Sequence, residues 1–576
     1  MRILQTAIFT LALISQQPQS AALEGVVIDA ASPTSPLSKA TVELHAASRS
    51  AGILSETQSD RDGRFYFPSV APGDYRVVVR RSGYVTTEYG QRRPGSPSIH
   101  VALAAGQRQT IQIPMTRGGV VSGRLIENGK PVGQASVVAL KAVYSEGVFQ
   151  TTPMLTDKTD DLGEYHLFWL PPGRYYILGI VWDSASGVGF IVNADGDDSD
   201  SFYSERRNLR AVLNRAIGAG APEGQLHIPI YYPGTPDPSL ARPIEITAGG
   251  EVRNVDFDVS TRPTWRVRGT ITGMPIAPAG APPVRVNVRM LPAKGLLASS
   301  TGVSVNGIAP PWEALTTVAG PDGAFEVPRV VPGSYVLFAT ATNSIARVPV
   351  EVRDRNIDSL FVSFESGLKV TGRVASPGAI PAGLRVVLRQ DPPMLDADTG
   401  AAVAADGTFT VANVPSGSYR VWVTPILTWT GLTTPSTQPG LYVTSIVQGQ
   451  TDVLNDGLRV STSTAEQPLT ITVGSNPGTL QGRIADNQGG PVAATWVALI
   501  PEGPLRFRTA HKFASSDAAG RFQIGNVPPG NYRAYAWMDA EKDDWQDPAF
   551  VERYASLGTP LQLGEGATVT LELIAR

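Results

Sequence analysis

Apolar and polar residues alternate along most of this chain in short runs, and the runs end in glycine, proline or asparagine. Thr41-Val42-Glu43-Leu44, Ser136-Val137-Val138-Ala139, Val284-Arg285-Val286-Asn287-Val288, Leu384-Arg385-Val386-Val387-Leu388 and Trp496-Val497-Ala498-Leu499 are of this kind. A period of two predicts strands with one face buried, and the regular turns between them predict antiparallel sheets. Before each such run lies another with a glycine inside it, at Gly25, Gly123, Gly269, Gly372 and Gly482. Late hairpins close the repeats, as in Ile99–Leu103 with Thr110–Ile113 and Leu561–Leu563 with Val569–Leu573. Seven or so strands per repeat is the count for a complete sandwich.

One motif recurs in every repeat. A turn glycine is followed two residues on by an aromatic, ten residues on by a second glycine, and twelve on by a tyrosine. The five copies are Gly63, Phe65, Gly73, Tyr75; Gly163, Tyr165, Gly173, Tyr175; Gly323, Phe325, Gly333, Tyr335; Gly407, Phe409, Gly417, Tyr419; and Gly520, Phe522, Gly530, Tyr532. The first glycine follows aspartate in three copies, a pairing that favours a tight turn. The aromatic opens a strand, the Pro-Gly that precedes the tyrosine in most copies ends it, and the tyrosine opens the next. Strand, corner, tyrosine, strand is the layout of a tyrosine corner, whose hydroxyl bonds backbone a few residues upstream. These are folding residues rather than a recurring active site.

Composition then bounds the answer. The chain has 576 residues, 58 Gly, 47 Pro and no Cys, with 42% apolar residues, enough for real cores. A net charge of −3 gives no support for a nucleic-acid partner. Met1-Arg2, the apolar run Ala7–Ile14 and the small residues Ser20-Ala21-Ala22 read as an export signal. No segment is long and apolar enough to predict a membrane span in the mature chain. Export without cysteine predicts a bacterial protein independent of disulfides.

The expected domains are a signal peptide at 1–22 and sandwiches at 23–118, 119–264, 265–367, 368–478 and 479–576. Short junctions between them predict a semi-rigid string. The second sandwich carries an insert, 183–226, in which Ser204–Arg215 is a helix candidate capped by Ser204. A second long loop runs from Lys294 to Glu313. Long inserts in compact domains are often functional. The fold class expected is therefore all-β: a tandem array of five antiparallel Greek-key sandwiches, with one short helix in the insert.

The turn glycine and aromatic, then the aliphatic-x-Pro-Gly-x-Tyr corner of Val70–Tyr75 and Leu170–Tyr175, resemble the carboxypeptidase regulatory-like domain. That family stands beside the transthyretin-like and collagen-adhesin B-type prealbumin-like sandwiches and the carbohydrate-binding-like fold. The fourth repeat departs from the pattern, with Pro415-Ser416-Gly417. The resemblance implies accessory domains that adjoin peptidases, glycosidases or outer-membrane receptors, or that form surface arrays.

A search for chemistry supplies little. Zinc carboxypeptidases need His-x-x-Glu, but His45, His100, His166, His227 and His511 are followed three residues on by Ser48, Leu103, Trp169, Ile230 and Ala514. No phosphate loop, serine elbow or His-Glu-x-x-His is present. Related adhesin domains place a crosslinking glutamate four residues after the corner tyrosine; here Val79, Gly179, Ala339, Val423 and Ala536 stand there. Asp195, Asp197, Asp198 and Asp200 are a weak calcium candidate, since calcium takes several carboxylate oxygens. Trp312, Trp429 and Trp545, in loops, are candidates for stacking on sugars.

The expectation is thus an exported, non-catalytic structural or adhesive binding protein of the cell envelope or exterior, periplasmic or extracellular. It uses no cofactor, and its partner is an envelope protein or polysaccharide. The alternatives are a carbohydrate-binding protein using loop aromatics and an accessory array for a separate envelope peptidase or receptor.

Overall fold

The computed structural model describes residues 20–48, 52–145, 148–181, 225–227, 230–236, 240–274, 284–292, 315–341, 344–364, 367–391, 399–425, 440–464, 467–503, 511–541 and 544–576. The insert helix expected at 204–215 and the whole loop 294–313 lie outside them. The chain forms two compact units, one comprising Met1–Pro94 with Ser98–Arg117, the other Gly95–Pro97 with Gly118–Arg576.

The first unit is one sandwich. Its first sheet joins β1 (Ala21–Asp29), β2 (Ser32–Pro36), β5 (Arg64–Val70) and β9 (Arg108–Met115). The second joins β3 (Thr41–Ala46), β4 (Ile53–Gln58), β6 (Gly73–Arg80), β7 (Thr87–Glu88) and β8 (Val101–Leu103). Alternate residues of both sheets, among them Leu23, Val27, Val42, Leu44, Phe65, Val77 and Ile113, meet in one core. Such alternation is what puts every second side chain of a strand on the buried face.

The second unit repeats this plan four times, and each repeat has its own core. The array is therefore the all-β tandem of sandwiches that the alternation implied. In one respect it is not purely antiparallel. In every sandwich the opening strand pairs antiparallel with the strand after the turn glycine, and parallel with a closing strand. β1 runs antiparallel to β5 and parallel to β9. Trp265–Thr272 does the same with Ala324–Val330 and Ile357–Ser363. Leu368–Ala375 pairs likewise with Thr408–Val414 and Leu469–Gly474, and Gly478–Ala485 with Arg521–Val527 and Thr568–Ile574. In the second sandwich the parallel partners of Gly119–Glu127 are two short strands, Glu251–Val252 and Phe257–Asp258. Parallel partners must be joined by a long crossover, and here the crossover is the whole second sheet, so nothing local in the sequence announces it.

The turns also differ in detail from the sequence expectation. Gly63 sits at φ +72° and Gly163, Gly323, Gly407 and Gly520 lie close to it, in the left-handed region that glycine tolerates. Yet in the first, second and fifth sandwiches the aspartate that shapes the turn stands three residues before the glycine. Asp60 Oδ1 accepts the N–H groups of Asp62 and Arg64 at 2.9 and 2.8 Å, and Asp160 and Asp517 do the same. Only in the third and fourth does the adjacent residue, Asp322 or Asp406, take that part.

β1 begins at Ala21, ahead of the expected domain start at 23: Ala21 is buried and pairs with Val70. The described helices are short, Val453–Asp456 and Pro548–Arg553, and none is long and apolar enough to cross a membrane.

Candidate functional site

The recurring corners come first, because they occupy the middle of every sandwich. Tyr75 donates its hydroxyl proton to the Ala71 carbonyl at 2.6 Å. Tyr175 bonds Pro171 O at 2.7 Å, Tyr335 Val331 O at 2.9 Å, Tyr419 Pro415 O at 2.8 Å and Tyr532 Pro528 O at 2.7 Å. All five donate to the carbonyl four residues upstream, and all five tyrosines are buried. Burial pushes the Tyr335 and Tyr532 hydroxyls up to about 12, so each stays a protonated donor over the physiological range. The corners hold the chain in place and carry no acid–base chemistry.

The sequence candidates part company. Asp195, Asp197, Asp198, Asp200, Trp312 and Trp429 lie outside the described residues. Trp545 is described, and it is not an exposed loop aromatic: it is fully buried. Its ring meets Trp496 at 5.6 Å and Phe513 at 5.2 Å and lies parallel to Trp537 at 6.5 Å. Together with Ala498, Ile500, Tyr535 and Val551 these form a second apolar layer on the outer face of the fifth sandwich. The sequence reading placed Trp545 in a loop with Trp312 and Trp429. The turn Asp544–Gln546 and the helix Pro548–Arg553 instead fold the segment flat over the sheet.

The first sandwich places charge where the second and fifth place apolar residues. On β3, Glu43 and His45 are 4% and 3% exposed. Glu43 accepts from Arg80 Nε at 2.8 Å and shares a hydrogen bond of 3.0 Å with His45 Nε2. Beside them Arg76 donates to Glu88 at 3.1 Å. Each carboxylate thus meets a cation, which is what lets charges be buried, while His45 Nδ1, Arg76 Nε and Glu88 Oε2 are buried with no hydrogen-bond partner. Among the described residues no three His, Cys, Asp or Glu side chains are grouped to hold a metal ion.

An aromatic surface that the sequence reading passed over lies on the second sandwich. On the strand Glu164–Leu170, Tyr165 and Leu167 point inward, so His166 and Phe168 point out. Their rings stack with centroids 5.5 Å apart and planes 8° apart, and Trp169 continues the surface at 6.5 Å. Phe168 and Trp169 are 47% and 51% exposed. Trp169 holds φ at +62°, while Asn413 and Asn526 occupy the matching place in later sandwiches. Asparagine tolerates that conformation and a bulky residue does so only under strain. The signal was available: at the two outward positions and the next, other repeats carry Glu326, Pro328 and Arg329, or Thr410, Ala412 and Asn413. Only the second repeat fills all three with rings.

Residues 22–116 match the family model of the carboxypeptidase regulatory-like domain. The four later sandwiches repeat the corner of this first one. No curated protein matches the chain. Among solved structures, the chain is similar to the Bacillus anthracis TIE protein, at 12% identity over 60% of this chain and 51% of that one, with a TM-score of 0.15. It thus spans about half the length of that protein. It is also similar to GBS52, the minor pilin of Streptococcus agalactiae, at 11% identity over 45% of this chain and 99% of that one, TM-score 0.20. BcpA, the major pilin subunit of Bacillus cereus, gives 11% identity over 60% and 99%, TM-score 0.14.

Proposed function

We propose that this chain is an exported, non-catalytic structural and adhesive protein of the bacterial cell envelope or exterior. The observation that supports this reading is the fivefold reuse of one corner-built sandwich. Repetition without a converging set of reactive groups suits display and spacing. Its partner is an envelope protein or a polysaccharide. Fractionation of source cells followed by a pull-down with the tagged chain tests it. Recovery from the cytosol, or capture of a processed substrate, would sink it.

A second reading, binding of carbohydrate, draws support from the His166–Phe168–Trp169 surface, since sugar rings stack on exposed aromatics. A glycan array on the full chain, repeated with Phe168→Ala and Trp169→Ala, decides it. Saturable binding lost in both variants favours a lectin-like role, and absence of any binding removes it.

A further inference from the structure

We infer that the fifth sandwich docks back onto the second through the Asp544–Gln546 turn and the second half of the strand Ser136–Ser145, with Lys141 and Glu541 as the locking pair. The two residues are 400 positions apart and both belong to the second compact unit. Lys141 Nζ donates to Glu541 Oε2 at 2.5 Å. Neither side chain is freely exposed: they are 16% and 28% accessible. Five sandwiches in file would keep the second and the fifth well apart, so this pairing is a departure from the string that short junctions alone imply.

Three further features place the contact on built surfaces. Glu541 is held by its own loop, because its backbone N–H donates to Asp544 Oδ2 at 2.7 Å and Asp544 in turn opens the short helical turn. Lys141 runs beside Gly173 at the start of the corner strand, where an added Cβ would stand 3.4 Å from its Cε. Burial raises the Tyr144 hydroxyl, and the negative charge of Asp547 adds to it; burial likewise raises Tyr175, with Glu541 contributing. The two carboxylates of the fifth sandwich therefore act on two tyrosines of the second.

The docking elements are also the ones in which these two sandwiches are built alike. Both carry a second apolar layer on an outer sheet face, Val138, Leu140, Tyr176, Leu178 and Tyr231 in one and the Trp545 cluster in the other. Packed layers of this kind give rigid platforms from which one ion pair can be aimed. A small contact suffices because the intervening sandwiches already tether the partners, so the second association is intramolecular at high effective concentration.

The test uses the full chain. Zero-length carbodiimide coupling, followed by peptide mapping of the monomer fraction, should yield an amide between Lys141 and Glu541. Lys141→Glu should abolish it, and Lys141→Glu with Glu541→Lys should restore it. Because the chain has no cysteine, nitroxides at Leu162→Cys and Leu557→Cys report the distance between the two sandwiches without background. A narrow distribution in the parent, broadened by Lys141→Glu and narrowed again by the swap, is expected. A broad distribution in the parent, or an amide found only in crosslinked dimers, overturns the inference.

Discussion

Gly25 lies directly across the ladder from Phe65, and the ring of Phe65 occupies the space a side chain at position 25 would need. A Cβ there would stand 2.6 Å from the ring and 2.3 Å from the Ile111 carbonyl of the parallel strand β9. Gly269 with Phe325, Gly372 with Phe409 and Gly482 with Phe522 repeat the arrangement, and in the second sandwich Gly123 faces Tyr165. The opening-strand glycine and the turn aromatic are thus one device: the aromatic covers the gap the glycine leaves, and the glycine lets the closing strand approach.

Gly25→Ala should therefore destabilise the first sandwich by about 3 kcal/mol, the upper range for overpacking. Gly52→Ala, where an added Cβ meets nothing within 4 Å, should stay within about 0.5 kcal/mol. Calorimetry of the full chain, following the transition assigned to the first sandwich, separates the two. Equal behaviour would show that the ring can move aside.

Tyr75→Phe removes only the hydroxyl that bonds Ala71, and should cost about 1 kcal/mol. Tyr75→Ala also empties a core position and should cost about 3–5 kcal/mol. Denaturant melts that leave both variants unchanged would mean that the corner bond contributes nothing net.

Asp29 predicts an acid limit for the first sandwich. Burial raises its carboxyl, but the hydrogen bonds from Arg117, from the Ala31 N–H and from Tyr84 outweigh it, so the group ends below its ordinary value of 3.8. A folded-state value below the unfolded one contributes stability that is complete above about pH 4 and is lost as the pH falls through the folded value. Tyr84 is raised above 10.0, by burial and then by Asp29, so its contribution is complete below that value and is lost as the pH rises past it. Asp29→Asn should cost about 1 kcal/mol at pH 7 and should flatten the acid slope of hydrogen-exchange protection in residues 20–117. An unchanged slope would assign the acid limit to other carboxylates.

Trp545→Ala should act on folding. Removing a fully buried indole from the outer aromatic layer should cost about 3–5 kcal/mol in the fifth sandwich. Tryptophan fluorescence during thermal unfolding reads this directly. A variant of parental stability with altered ligand binding would restore Trp545 as a surface residue.

If the first residues are the export signal proposed above, its cleavage should spare β1. Because Ala21 pairs with Val70 and the Ala22 N–H bonds the Gln107 carbonyl at 2.8 Å, the mature N-terminus should fall at or before Ala21. Intact-mass measurement of the chain recovered from source cells checks it: a start at Met1 removes the proposed signal, and a start at Leu23 would show that the sandwich tolerates the loss of its first pairs.

The alternation of Thr41–Leu44 and its counterparts, the left-handed turn at Gly63 and the Gly73–Tyr75 corner are legible in the sequence because they depend on neighbours in the chain: side chains alternate with a period of two, and a corner is closed by a bond only four residues long. Five repetitions of those local rules determine five sandwiches. The parallel pairing of Gly25 with Ile111, the burial of Trp545 and the pairing of Lys141 with Glu541 depend on segments tens to hundreds of residues apart. Polarity near a residue in sequence says nothing of what covers it in space, so Trp545, beside several acidic residues, lies in a core. Tertiary structure alone decided that Trp545 is covered and which sandwiches meet.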